Sequence, residues 1–396
     1  MQANAVPGKY PEDCGPIGVY VHIPFCLSRC DYCGFVSYPF APVLEAPYVE
    51  AVIREFRGLR KYFLFMGHSF PTALDTIYFG GGTPSVFNPE SIERIIDAIK
   101  RTFNLVHPIE ITVEVNPGTY LENEFVKLQE AGVNRISIGA QSLNDLELRS
   151  MNRRHSAADF ITAFINTRKA GFQNISVDLL AGYPGQTLSS IMNSLEEIIK
   201  LGPEHVSVYM LEIKSGSRIE NRIKLTQNEV VDDDLVADMY EAICEKLCST
   251  GLEQYEISNF SRIGMQSRHN LKYWTDQVFL GFGLAAHGMT GRTRYSNVVE
   301  LDRYLRSTSC NQSVVESLIE MDPLTRFKDA MIMGLRLTRG VDLAFMSRQY
   351  GLDASGFVKD SLGHLDGAGL FTIEDNTIKL TQKGRLLSNI VFSQFI

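Results

Sequence analysis

The 396-residue sequence contains no apolar run near the roughly 18 residues that a membrane helix requires, so no transmembrane segment is expected. Its first residues, Met1-Gln2-Ala3-Asn4-Ala5-Val6-Pro7-Gly8-Lys9, have neither a basic start nor an apolar stretch, and no export signal is expected. Seven cysteines are few for this length, and three of them crowd together, which suits a reducing compartment better than a disulfide framework. Basic residues are outnumbered, 38 against 46 acidic, and the formal charge of −8 argues against a broad nucleic-acid footprint. No internal repeat, low-complexity segment or long linker is evident. With 44% hydrophobic residues, the chain reads as a cytoplasmic protein with one large domain and something smaller appended. Peripheral contact with a membrane surface stays open.

What is present is Cys26-Leu27-Ser28-Arg29-Cys30-Asp31-Tyr32-Cys33. Iron–sulfur clusters are normally held by four thiolates. This spacing supplies three, so one iron would keep an open coordination position where a small molecule can bind, as open positions distinguish catalytic from structural zinc. A structural zinc site usually shows paired Cys-x-x-Cys elements, and no second pair follows; Cys244 and Cys248 fall in an ordinary amphipathic run. An inert core role is hard to reconcile with Arg29 and Asp31 between the thiols.

Short β-branched runs alternate with longer amphipathic segments, the pattern of repeated βα units. Strands are expected at Gly18–Ile23, Thr76–Phe79, Ile109–Val115, Arg135–Ile138, Ile175–Leu180 and Val206–Ile213, with helices near Ala46–Phe65, Pro89–Phe103, Glu122–Ala131, Ala157–Ala170 and Leu188–Leu201. Periodicity alone does not choose between a six-unit open barrel and a closed eight-unit one. Chemistry in such folds gathers at the carboxyl ends of the strands. There the chain carries Gly80-Gly81-Gly82-Thr83-Pro84, whose small residues allow close backbone approach. Polar residues follow in or beside apolar runs: Glu114, Gln141, Arg153 and Asp178. Taken alone, the glycines read equally as a tight turn, and the two carboxylates read as loop caps or as partners of Arg153 or Arg135.

The cysteine spacing, with the aromatic Tyr32 before the last thiol, resembles the radical S-adenosylmethionine (SAM) superfamily. That resemblance implies an α/β fold built on a partial (β/α)6 barrel and a 4Fe–4S cluster on Cys26, Cys30 and Cys33, whose open iron binds SAM. It further implies that Gly81, Gly82 and Thr83 hold the SAM amino group, and that Tyr20, Tyr32, Glu114, Gln141, Arg153 and Asp178 line the SAM pocket. Tyr20 opens a Tyr-x-His-Ile-Pro-Phe-Cys start, and Gly-Gly-Gly-Thr-Pro is the form found in the coproporphyrinogen-oxidase branch.

Two features separate the readings within that branch. Oxygen-independent coproporphyrinogen III oxidases carry a further cysteine where this chain has Phe35. The segment His269-Asn270-Leu271-Lys272-Tyr273-Trp274 resembles the His-Asn-x-x-Tyr-Trp element of the HemW family of haem chaperones. Histidine is a common haem-iron ligand, and Tyr273 and Trp274, the only tryptophan, offer faces for a macrocycle. From the residues alone, His269 reads as a cap and Trp274 as a core anchor; with the resemblance, His269, Tyr273 and Trp274 become haem-binding candidates, and His287 a second candidate ligand. Without a Cys-x-x-Cys-His motif, covalent haem is not indicated.

The resemblance therefore implies a haem chaperone that passes haem to an acceptor protein, a respiratory one among the candidates, and that draws on an electron donor. No residue is assigned a catalytic role. The alternatives are coproporphyrinogen III oxidation and a related radical SAM methyltransferase. Domains are expected at 1–17 (an extension), 18–294 (the radical SAM core with the haem segment) and 295–396. The last reads as helices near Leu343–Tyr350 and Ala354–Leu365 with an extended pair at Leu370–Ile373 and Thr377–Leu380, winged-helix-like in outline. Its acidic residues Asp342, Asp353, Asp360, Asp366, Glu374 and Asp375 disfavour DNA and suit a docking or lid role.

Overall fold

The computed structural model describes residues 15–65, 70–226 and 232–396, so most of the expected 1–17 extension lies outside the described residues. Six strands run parallel and side by side: β1 Ile17–Ile23, β2 Ala73–Gly81, β3 Asn104–Val115, β4 Arg135–Gln141, β5 Ile175–Ala181 and β6 His205–Met210. Beyond β6 the sheet continues antiparallel through β8 Asn259–Ser261 to β7 Glu253–Gln254. Beyond β1 it continues through β9 Phe279–Phe282, parallel to β1, and then the antiparallel β10 His287–Thr290, β11 Thr293–Asn297 and β12 Val315–Glu320. Strands β1 and β6 do not pair, so the six βα units curl into an open, partial barrel.

Successive strand residues face opposite sides, and this sequence uses the alternation consistently. Val19, Val21, Ile77, Phe79, Ile111, Val113, Ile136, Ile138, Val177, Leu179, Val206 and Val208 are buried on the apolar face. The alternate positions, Tyr20, Tyr78, Glu114, Ser137, Asp178 and Ser207, are polar and line the bore. The apolar face is covered by amphipathic helices. In Pro89–Thr102 the buried residues Ile92, Ile95, Ile96 and Ile99 form one stripe at helical spacing, and Leu188–Leu201 stops at Gly202, whose φ of 68° suits a residue without Cβ.

A second, separate core gathers Phe327, Met331, Leu335, Tyr350, Val358, Leu380 and Phe395. It joins the helices Pro323–Gly334, Leu343–Tyr350 and Ala354–Leu362 to a small sheet in which Thr377–Leu380 lies between Val341–Asp342 and Phe371–Glu374. The boundary expected at 294/295 falls inside β11, and the main sheet runs on to Glu320. Short antiparallel strands lack the βα alternation on which that boundary rested. The strand expected to reach Ile213 ends at Met210.

Candidate functional site

The three thiols follow the C-terminal end of β1, on a loop held from several sides. The Asp31 amide donates to the Met151 carbonyl at 3.2 Å, and the Cys33 amide donates to the Cys30 carbonyl at 3.2 Å. Thr83 Oγ1 donates to Cys26 Sγ at 3.6 Å, and Arg153 Nη1 donates to Cys30 Sγ at 3.4 Å. Burial pushes the thiol pKa values of Cys26 and Cys33 up. Among the described residues no three His, Cys, Asp or Glu side chains converge as a single-ion site. A cluster does not demand that, because each thiolate binds a different iron.

The strand ends reach the same place. Arg153 ties the loop to the barrel rim, with Nη2 donating to the Gly139 carbonyl at 2.7 Å and to Asn116 Oδ1 at 3.0 Å. Asn116 Nδ2 donates to Thr83 Oγ1 at 2.9 Å. Gly81, with φ of 112°, donates its amide to Glu114 Oε2 at 3.3 Å, and Tyr78 donates its hydroxyl to Glu114 Oε1 at 2.8 Å. Tyr20 hydrogen-bonds His22 Nδ1 at 3.0 Å and stacks on Tyr78 with ring centres 6.2 Å apart. Gln141 turns out of β4 with φ of 65°. Asp178 lies deeper, accepting from Ser137 Oγ at 3.2 Å. Tyr32 packs edge-on against Tyr183. The structure thus gathers Cys26, Cys30, Cys33, Tyr20, Tyr32, Gly81, Gly82, Thr83, Glu114, Gln141, Arg153 and Asp178 at or just inside one end of the barrel.

These residues fit a cationic cofactor beside a cluster. A Cβ on Gly82 would come within 3.0 Å of Cys26 Sγ, and one on Gly81 within 2.5 Å of the His22 ring, so the glycines are what let the backbone pass this close. Burial raises the carboxyl of Glu114 to about 7 and also raises that of Asp178. Among the described residues neither carboxylate hydrogen-bonds to a cationic side chain, and Arg153 Nε is buried without a partner. Buried charge in this state is costly unless a ligand completes it.

The His269 segment lies away from the thiols. Helix Arg268–Trp274 closes the opposite, N-terminal end of the bore. His269 is fully buried, with Nδ1 on Thr76 Oγ1 at 3.0 Å and Nε2 on the Tyr273 hydroxyl at 2.8 Å, and its ring stacks on Tyr78. Burial, helped by the Lys272 charge, lowers its pKa to about 3. Both nitrogens are engaged, so this arrangement presents no ligand atom to iron. Tyr273 and Trp274 do line a cavity, together with the exposed His287. Sequence reasoning passed over Tyr78, His22 and Asn116; the alternation along β1 and β2 was the signal that could have placed Tyr78 and His22 inside the bore.

Residues 20–198 match the model of the Radical SAM superfamily, and residues 321–387 that of the HemN C-terminal domain. The haem chaperone HemW of Bacillus subtilis is 34% identical over 95% of this chain and 98% of its own length. That of Lactococcus lactis is 32% identical over 96% and 97%. The structure of the coproporphyrinogen III oxidase HemN from Escherichia coli shares the fold, with a TM-score of 0.83 over 96% of this chain and 90% of that one, at 24% identity.

Proposed function

Because the chain belongs to the HemW family of haem chaperones, within the radical SAM superfamily, we propose that it binds haem and hands it to an acceptor protein in the cytoplasm. The observation that carries this reading is the likeness to haem chaperones along nearly the whole of both chains. The family implies a 4Fe–4S cluster and SAM. Cys26, Cys30 and Cys33 would hold the cluster; Gly81, Gly82, Thr83 and Glu114 would receive the SAM amino and carboxylate end, with Tyr20, Tyr32, Gln141, Arg153 and Asp178 around it. When bound, the pair supplies one-electron reduction and a radical, and the organic reactivity is the cofactor's. The chain's own part is positional. Arg153 holds Cys30 against the rim, and Glu114 would receive the cation.

Phe35, exposed on the cluster loop where the oxidases carry a further cysteine, supports cargo handling over porphyrinogen oxidation. Among the described residues no helix is long and apolar enough to cross a membrane. The acceptor is read as a haem protein, and an electron donor would serve the cluster. Anaerobically purified protein should develop a Soret band with haemin and pass that haem to an apo-haem protein. Failure to take up haem, together with SAM-dependent decarboxylation of coproporphyrinogen III, would replace this reading by the enzymatic one.

A further inference from the structure

Family membership does not fix where the cargo sits, and His269 offers no free nitrogen. A cavity of about 370 Å³ opens between strands β9–β11 and the helix Pro323–Gly334. Tyr273, Trp274, Phe279, Met289 and Met333 line it, giving an aromatic and thioether wall suited to a flat apolar ligand. Its volume lies toward the low end of the roughly 300–1,000 Å³ that encloses a drug-sized molecule. A tetrapyrrole would therefore enter edge-first and keep part of its face outside, which suits a cargo that must leave again.

His287 borders this cavity and is the first residue of β10. The barrel histidines His22, His155, His205 and His269 engage ring nitrogens in hydrogen bonds. No such bond is found for His287 among the described residues, and the residue is exposed. Its mount is rigid. A Cβ on Gly281 would lie 1.9 Å from the His287 carbonyl oxygen, so the two strands approach as only glycine allows. The loop before it is pinned, with the Gly283 amide donating to Glu55 Oε2 at 2.9 Å and the Leu284 amide donating to the Tyr48 hydroxyl at 2.9 Å. Because β-strand residues alternate in facing, His287 and Met289 point to the same side.

Two polar features belong to residues that line the cavity. Trp274 Nε1 is buried without a hydrogen-bond partner, while Arg336 covers the indole face at 4.5 Å. Arg294 borders the cavity with its side chain 41% exposed, paired with Asp329 at 3.0 Å; the other carboxylate on this wall, Asp276, is paired with Arg326 at 2.8 Å. A propionate would share Arg294 with Asp329.

We propose that haem docks edge-first in this cavity with the His287 imidazole as axial ligand to iron, against Tyr273, Trp274 and Met333. The inference rests on the chaperone reading. The neutral imidazole donates its lone pair to an axial position of the iron, a bound water leaves, and no redox change is involved. Full-length, cluster-loaded protein titrated with haemin tests it. His287→Ala should weaken binding at least about tenfold and move the Soret band, and added imidazole should restore the wild-type spectrum. Ala330→Trp, which fills the cavity, should weaken binding with unchanged circular dichroism, whereas folded His269→Gln should keep the wild-type Soret position. An unchanged spectrum and affinity in His287→Ala, or loss of haem in folded His269→Gln alone, would overturn this site and leave the chaperone reading standing. A wild type that takes up no haem overturns both.

Discussion

Glu114 is the residue whose surroundings say most about the bore. Its partners are the Tyr78 hydroxyl and the Gly81 amide, with the Asp178 carboxylate close enough to repel it, and burial raises its carboxyl from the ordinary 4.5 to about 7. An acid raised in the folded state binds protons there that the unfolded chain has already lost. Stability therefore falls as pH climbs from about 4.5 to 7; it is untouched below that window and carries the full penalty above it. At about 1.4 kcal/mol per pKa unit, the penalty at pH 8 is of the order of 3 kcal/mol. Glu114→Gln should match the wild type near pH 4.5 and exceed its stability at pH 8, by up to about that amount, in urea denaturation of SAM-free protein. A pH-independent difference between the two would refute the argument. Glu55, buried and also raised to about 7, leaves some slope in the variant.

At the scale of elements, helix Arg268–Trp274 depends on one carboxylate of β2. Asp75 meets Lys272 Nζ at 2.8 Å and Arg268 Nη2 at 2.8 Å, and Lys272 also donates to the Pro16 carbonyl at 2.7 Å. The Lys272 side chain is 4% exposed, so removing its partner leaves a buried charge, at a cost of about 3–5 kcal/mol. Asp75→Ala should lose roughly that much in urea denaturation, and the double change Asp75→Leu with Lys272→Leu should recover most of it. Equal losses in both would show that the pair does not hold the helix.

The same helix shows where the sequence stops being legible. Its residue types mark a ligand-like segment, but only the fold reveals that Thr76, from a strand far away in sequence, occupies Nδ1 and that Tyr273 occupies Nε2. The parallel strands, by contrast, were readable because each carries its apolar face in a continuous alternation, and Leu188–Leu201 because its cap and stop residues are local. The glycine-rich and polar strand ends could be picked out one by one, whereas their convergence through Arg153 and Asn116 depends on contacts between different strands. The β9–β12 stretch, with strands of four to six residues and antiparallel partners, leaves no such local trace.

At the scale of the whole molecule, the proposed haem site and the thiol loop take different parts of one barrel. The thiols, Gly81 and Arg153 occupy the C-terminal rim of the strands, while the His287 cavity is walled by β9–β11 and by the helices Arg268–Trp274 and Pro323–Gly334. No residue of the cluster loop lines that cavity. His22 bonds the Val36 carbonyl just past the thiols at 3.4 Å. Uptake of haem should thus survive loss of the cluster, because the walls of the seat are built without it. Cys30→Ala should abolish the broad visible absorbance and the stoichiometric iron of the cluster while haemin still produces the wild-type Soret band with similar affinity. If haem uptake disappears with the cluster in a variant that keeps its circular dichroism and melting temperature, the two functions are not separable, and the seat must be shaped by the thiol loop.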